Sequence, residues 1–156
     1  PVGMPVPAIP EGLSKGVIDG TTIPWEVTPS LKVPELVKNH TEFDGAALYT
    51  LTFVLAMNKD RYDGLSDELK KVLDENSGLE FSVFAGGTQA DADGPARQVA
   101  VDLGNNIVEL NEEETQVWRD ASQPIYDSWI ADMDSKGIDG QALIDEAREL
   151  MDAYGK

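Results

Sequence analysis

Four prolines in the first ten residues, Pro1, Pro5, Pro7 and Pro10, cut the opening of this chain into short apolar runs around Val2, Met4, Val6 and Ile9. Runs this brief make no domain of their own, so whatever they form, they form against other parts of a larger structure. The first third, residues 1–58, accordingly reads as the middle of a larger protein, with no initiator Met, signal peptide or polar lead-in. Pro10 suits the first turn of a short helix, where a missing N–H is tolerated. Lys15-Gly16 suits its end. Val17, Ile18, Thr21, Thr22 and Ile23 are rich in β-branched side chains and predict a strand. Residues 1–24 therefore read as strand, short helix, strand.

Beyond them, Pro29 and Pro34 limit a broken helical stretch over residues 25–37. Ala46 to Asn58 is the longest apolar run; Leu48, Tyr49, Thr50, Leu51, Thr52, Phe53 and Val54 favour a strand, too apolar on both faces for a sheet edge and expected to be central and buried. Ser66 with Asp67 and Glu68 marks a helix start. Its apolar face continues through Leu69, Val72, Leu73, Leu79, Val83 and Phe84, with a kink or break expected near Ala85-Gly86-Gly87 or Asp93-Gly94-Pro95. Ile107–Leu110 is a short strand, and Asn111 caps a helix carrying Val117, Trp118, Ala121, Ile125, Trp129 and Met133, bent at Pro124. Asp139-Gly140 opens a last amphipathic helix.

Charge excludes several classes of function. The chain carries a formal net charge of −17, and nucleic acid or anionic lipid would require clustered Lys and Arg. From residue 105 to 156 there are 13 Asp and Glu against four Lys and Arg, which reads as a solvated helical surface or a docking face for a basic partner. Partners are therefore small molecules or other proteins. With no cysteine, thiolate metal sites, disulfides and cysteine nucleophiles are excluded. His40, the single histidine, makes no zinc or nucleophilic constellation alone and is expected in a loop or at a strand end. Asp91-Ala92-Asp93-Gly94 lacks the closing Glu of a calcium loop, and the many carboxylates single out no catalytic pair. No apolar run reaches a membrane-spanning length.

A set of ordered landmarks runs along almost the whole chain: Pro1-Val2, Gly16-Val17-Ile18-Asp19-Gly20, Pro24-Trp25-Glu26, Leu36-Val37 with His40-Thr41, Met57-Asn58-Lys59 with Tyr62 and Leu65-Ser66, and Trp118 through Pro124-Ile125-Tyr126 to Trp129. In this order they resemble the C-terminal portion of the periplasmic solute-binding receptors of TRAP transporters, the DctP type. The resemblance implies an α/β fold, part of a two-lobed periplasmic binding protein (type II-like) with a mixed sheet and a long lobe-spanning helix. It further implies that residues 1–45 belong to the second lobe, 46–58 are a lobe-crossing strand, 59–104 a long helical segment spanning the lobes, and 105–156 a C-terminal strand and helices.

By that resemblance the chain is no enzyme and needs no cofactor. It helps capture an organic acid by lobe closure in the periplasm and delivers it to the TRAP membrane subunits. Ligand-facing positions fall on Val6, Ile23 and Trp25, with Tyr49 and Phe53 also candidates. Ile23 stands where some relatives place an Asn, which points to a less hydrophilic ligand than a sugar acid. Glu26 is the candidate cation ligand. The carboxylate-binding arginine is expected outside this chain; Arg61, Arg97, Arg119 and Arg148 match no ligand position. Exposed apolar strands or self-association of the 156 residues are expected. The alternative is an autonomous acidic protein-interaction domain, which would fold cooperatively alone and ignore carboxylates.

Overall fold

The computed structural model describes residues 1–43, 45 and 47–154. The described residues group into two compact units, those within 1–42 and 49–108, and those within 43–48 and 109–154.

In the first unit, a 3-10 turn over Val6–Ala8 leads into α1 (Ile9–Ser14), with Pro10 in its first turn. α1 ends as expected: the N–H of Gly16 returns to the Leu13 carbonyl and that of Val17 to the Gly12 carbonyl. A second 3-10 turn, Trp25–Val27, and α2 (Val33–Leu36) are the broken helical pieces that the prolines dictate. α2 leads to β1 (Asn39–Phe43), then α3 (Lys59–Asp63), α4 (Asp67–Glu75) and α5 (Leu79–Asp102). β2 (Asn106–Leu110) follows and pairs with β1. The Asn106 N–H bonds the Lys38 carbonyl and its side chain reaches Asn39, so the two strands start side by side and run parallel.

Ala96 and Ala100 lie one turn apart on one face of α5 and are buried, together with Ile9, Val33 and Pro34. Their small side chains let the Trp25–Val27 turn and α2 pack close against the helix. This α5 face, rather than a sheet, is the core of the first unit.

Three predicted strands are absent among the described residues. Residues 17–24 make no ladder, and neither do residues 47–58; Ala46 lies outside the described residues. A β-branched or apolar run becomes a strand only where a neighbour satisfies its backbone. Among the described residues β1 and β2 pair only with each other. The run expected to be central and buried is instead irregular and open, with Phe53 68%, Val54 81% and Leu55 87% exposed. The opening strand is missing for the same reason. The predicted helix over 59–104 is three helices, and the breaks fall at Gly64–Ser66 and Asn76–Gly78 rather than at the later glycines. Gly78 takes φ 83°, a conformation closed to other residues, and starts α5 afresh. α5 then runs unbroken through Gly86-Gly87 and Gly94-Pro95, anchored by its buried second half. The apolar face of α4 and early α5, including Leu69, Val72, Leu79, Val83 and Phe84, is exposed.

In the second unit, α6 (Glu112–Ser135) starts on a full capping box, Asn111 Oδ1 accepting from the Glu114 N–H and Glu114 Oε2 from the Asn111 N–H, each at 3.0 Å. Pro124 lies inside α6 without ending it. α7 (Gly140–Tyr154) is capped by Asp139, whose Oδ1 accepts from the Ala142 N–H at 2.9 Å, and packs on α6. No described helix is long and apolar enough to cross a membrane.

Candidate functional site

Trp25 is the centre of a side-chain cluster drawn from three parts of the first unit. Pro24 holds the extended conformation that starts the turn, and Thr28 closes it, its hydroxyl donating to the Trp25 carbonyl at 2.8 Å. The indole Nε1–H then donates to Glu42 Oε1 at 2.9 Å. β1 presents Glu42 and His40 on one face, two residues apart, and the His40 ring lies against the indole with centroids 4.9 Å apart. From α5, Arg97 completes the cluster: Nε donates to Glu42 Oε1 at 2.7 Å and Nη2 to Oε2 at 2.9 Å, a two-pronged pair. One turn earlier on α5, Asp93 accepts from the Glu26 N–H at 3.0 Å.

The far end is fixed by Asn105. The turn after α5 sends the Gly104 N–H to the Val101 carbonyl and the Asn105 N–H to the Ala100 carbonyl. This places Asn105 Nδ2 2.7 Å from the Pro34 carbonyl and 3.1 Å from His40 Nε2. Asn105 Oδ1 is buried without a partner among the described residues.

The electrostatics follow from these bonds. The Arg97 hydrogen bonds hold the Glu42 carboxyl below the usual carboxylate range, against the opposing effect of burial. Burial lowers the His40 imidazole from its ordinary value, with Glu42 pulling the other way. At neutral pH the cluster is therefore a neutral imidazole beside an ion pair of zero net charge. It holds no activated nucleophile or acid–base pair aimed at a common point. What it can do is hold an aromatic face rigidly.

Of the sequence-predicted ligand positions, Ile23 and Trp25 share one short segment, and Tyr49 is bonded to the backbone of that segment. Ile23 is half-buried beside the Trp25 turn, and the Tyr49 hydroxyl donates to the Thr22 carbonyl at 2.9 Å, tying that segment down. Val6 is 47% and Phe53 68% exposed, and no described hydrogen bond or ring contact joins either to the cluster. Glu26 is half-buried in the turn; among the described residues no group of three His, Cys, Asp or Glu is placed to hold a metal ion. Nothing in the sequence pattern joins His40, Glu42, Arg97 and Asn105 as a unit. Their one local signal is the two-residue spacing of His40 and Glu42, in a strand, NHTEF, that lacks apolar alternation.

A cleft of about 360 Å³ lies in the second unit, lined by Phe43, Leu48, Trp118, Arg119, Tyr126 and Arg148 among others. Phe43 meets Trp118 edge to face at 5.6 Å, and the Arg148 guanidinium lies 5.7 Å over the Tyr126 ring. None of the predicted ligand positions lines it.

Residues 1–132 match the family described as bacterial extracellular solute-binding protein, family 7, or DctP. The chain is 27% identical over 151 residues to the outer membrane transporter protein TsaT of Comamonas testosteroni, covering 92% of this chain and 44% of that relative. It superposes on a TRAP solute-binding protein from Rhodoferax ferrireducens, crystallised with copurified benzoate, with a TM-score of 0.93 and 46% identity, covering 99% of this chain and 49% of the other. A marine-metagenome TRAP solute-binding protein specific for aromatic acid ligands, in complex with metahydroxyphenylacetate, gives 0.86 and 37% identity, covering 100% of this chain and 49% of the other. The chain thus spans about half the length of the relatives it matches. Within that span it has the mixed α/β fold of a TRAP solute-binding protein. With the family match extending over residues 1–132 of 156, the chain belongs to the bacterial extracellular solute-binding proteins of family 7, the DctP family.

Proposed function

We propose that these residues form one side of the ligand cage of a periplasmic TRAP receptor for aromatic acids, which captures its ligand by lobe closure and delivers it to the membrane permease. The observation that carries the reading is the 46% identity and 0.93 TM-score to a receptor that copurified with benzoate. The Trp25 cluster supports it chemically. Ile23, Trp25 and Tyr49 present an apolar, aromatic wall, suited to a ring rather than to a sugar acid. Val6 and Phe53 join that wall only in the whole receptor. The carboxylate itself needs a cation, best an arginine, and the remaining half of the receptor's length supplies it together with the facing wall. That half also covers the open run at Leu51–Met57 and the exposed apolar face of α4 and α5. The closed form is the one the permease reads, by a shift between open and closed states.

The alternative of an autonomous acidic interaction domain finds no support among these relatives. A thermal-shift screen of the full-length receptor against aromatic, aliphatic, hydroxy and keto acids tests the proposal. The largest stabilisation is expected with benzoate-like acids. A response confined to aliphatic acids, or none at all, would overturn it.

A further inference from the structure

A carboxylate is an unfavourable support for a wall that faces an anion. Glu42 Oε1 lies 2.9 Å from the Trp25 indole nitrogen, and left bare its charge would repel an approaching acid. It is not bare. Arg97 bonds both of its oxygens, and the pair is half-buried, with side chains 35% and 23% exposed. We propose that Arg97 is a charge mask: it neutralises Glu42 so that this carboxylate can orient the Trp25 indole without repelling the anionic ligand. The inference rests on the aromatic-acid reading above and deepens it, assigning a positioning role to two residues that act through Trp25.

The placement of Arg97 fits the task. Oε1 takes both the indole N–H and the guanidinium Nε–H, while Oε2 takes the second prong. A planar guanidinium can make both bonds at once. Ala96, buried on the preceding position, fixes the rotation of α5 that aims Arg97 at β1. Asp93, one turn away, holds the Glu26 N–H from the same helix. α5 thus grips Trp25-Glu26 at two points, one of which also cancels the charge.

A masking role makes a prediction that a purely structural role does not: removing the masked charge rescues removal of the mask. Arg97→Met leaves Glu42 bare. Adding Glu42→Gln keeps an amide oxygen for the indole N–H and deletes the charge. The test is calorimetric titration of the full-length receptor with benzoate at low ionic strength. Arg97→Met is expected to weaken binding about tenfold, a change of about 1.4 kcal/mol, with the deficit shrinking as salt screens the exposed charge. The double variant is expected within about threefold of wild type, as is Arg97→Lys, which keeps the charge and gives up the fork. Benzoate affinity unchanged in Arg97→Met, a double variant no better than that single one, or a tenfold loss in Arg97→Lys would each overturn the mask while leaving the receptor reading intact. A wild-type receptor that takes no aromatic acid would overturn both.

Discussion

A β-carbon built at Gly140 would sit 2.9 Å from the Ile130 Cα, 3.1 Å from the Ile130 carbonyl oxygen and 3.1 Å from Met133 Cβ. Carbon atoms in contact settle at about 3.5–4.0 Å, so Gly140→Ala overlaps by roughly half an ångström or more. The obstacle is the α6 backbone, which no rotamer change relieves; the start of α7 must move away. Overpacking of this kind costs about 1–3 kcal/mol. The better helix propensity of Ala returns up to about 1 kcal/mol. The net expectation is a loss of about 1–2 kcal/mol, or roughly 2–8 °C in melting temperature at 2–4 °C per kcal/mol. Scanning calorimetry of the full-length receptor, wild type against Gly140→Ala, measures it, with Gly140→Val expected to cost more. An alanine variant melting at or above wild type would refute the close approach of α7 to α6.

Acid should loosen the first unit in two stages. The imidazole of His40 is held below its ordinary 6.5, so the stability of the neutral form is complete above that value and falls as pH drops through the folded value. Glu42, held below 4.5, then contributes stability above that value that is lost as pH falls through its own lowered one. Urea midpoints measured from pH 7 to 3 should decline on both limbs, and Glu42→Gln should flatten the lower one. Unchanged midpoints across that range would contradict the cluster's electrostatics. By itself, the 156-residue chain should self-associate through the open run at Leu51–Met57, where Val54 is 81% and Leu55 87% exposed. Light scattering after gel filtration should show dimers or larger species that shrink on Leu55→Lys; a monodisperse monomer would argue against exposure of that run.

Local rules were legible wherever a single residue decides them. Ser66, Asn111 and Asp139 cap the helices they were expected to cap, and Lys15-Gly16 ends α1. The proline-broken stretch before Val37 is legible for the same reason, and the strand at Ile107–Leu110 agrees with expectation because β1 pairs with it. Strand formation in residues 17–24 and 47–58 was not legible, because a strand depends on a neighbour and the apolar pattern carries no record of where that neighbour lies. Continuity of α5 past Gly86-Gly87 and Gly94-Pro95 was hidden likewise: burial of Ala96 and Ala100 outweighs propensity there. The family, by contrast, was legible in ordered landmarks no one of which is informative alone. In the candidate site, Trp25 is singled out by the family resemblance. Its supports are not, since Glu42 lies 17 residues and Arg97 a further 55 along the chain.

Trp25 is the residue on which the account turns, and benzoate is the ligand that tests it. Titrating the full-length receptor and its Trp25→Ala variant with benzoate, side by side, is the most direct measurement. Saturable binding by wild type, weakened in the variant by about 2 kcal/mol or roughly thirtyfold, is the expected result. Equal affinity in the two would remove Trp25 from the site and contradict the central claim.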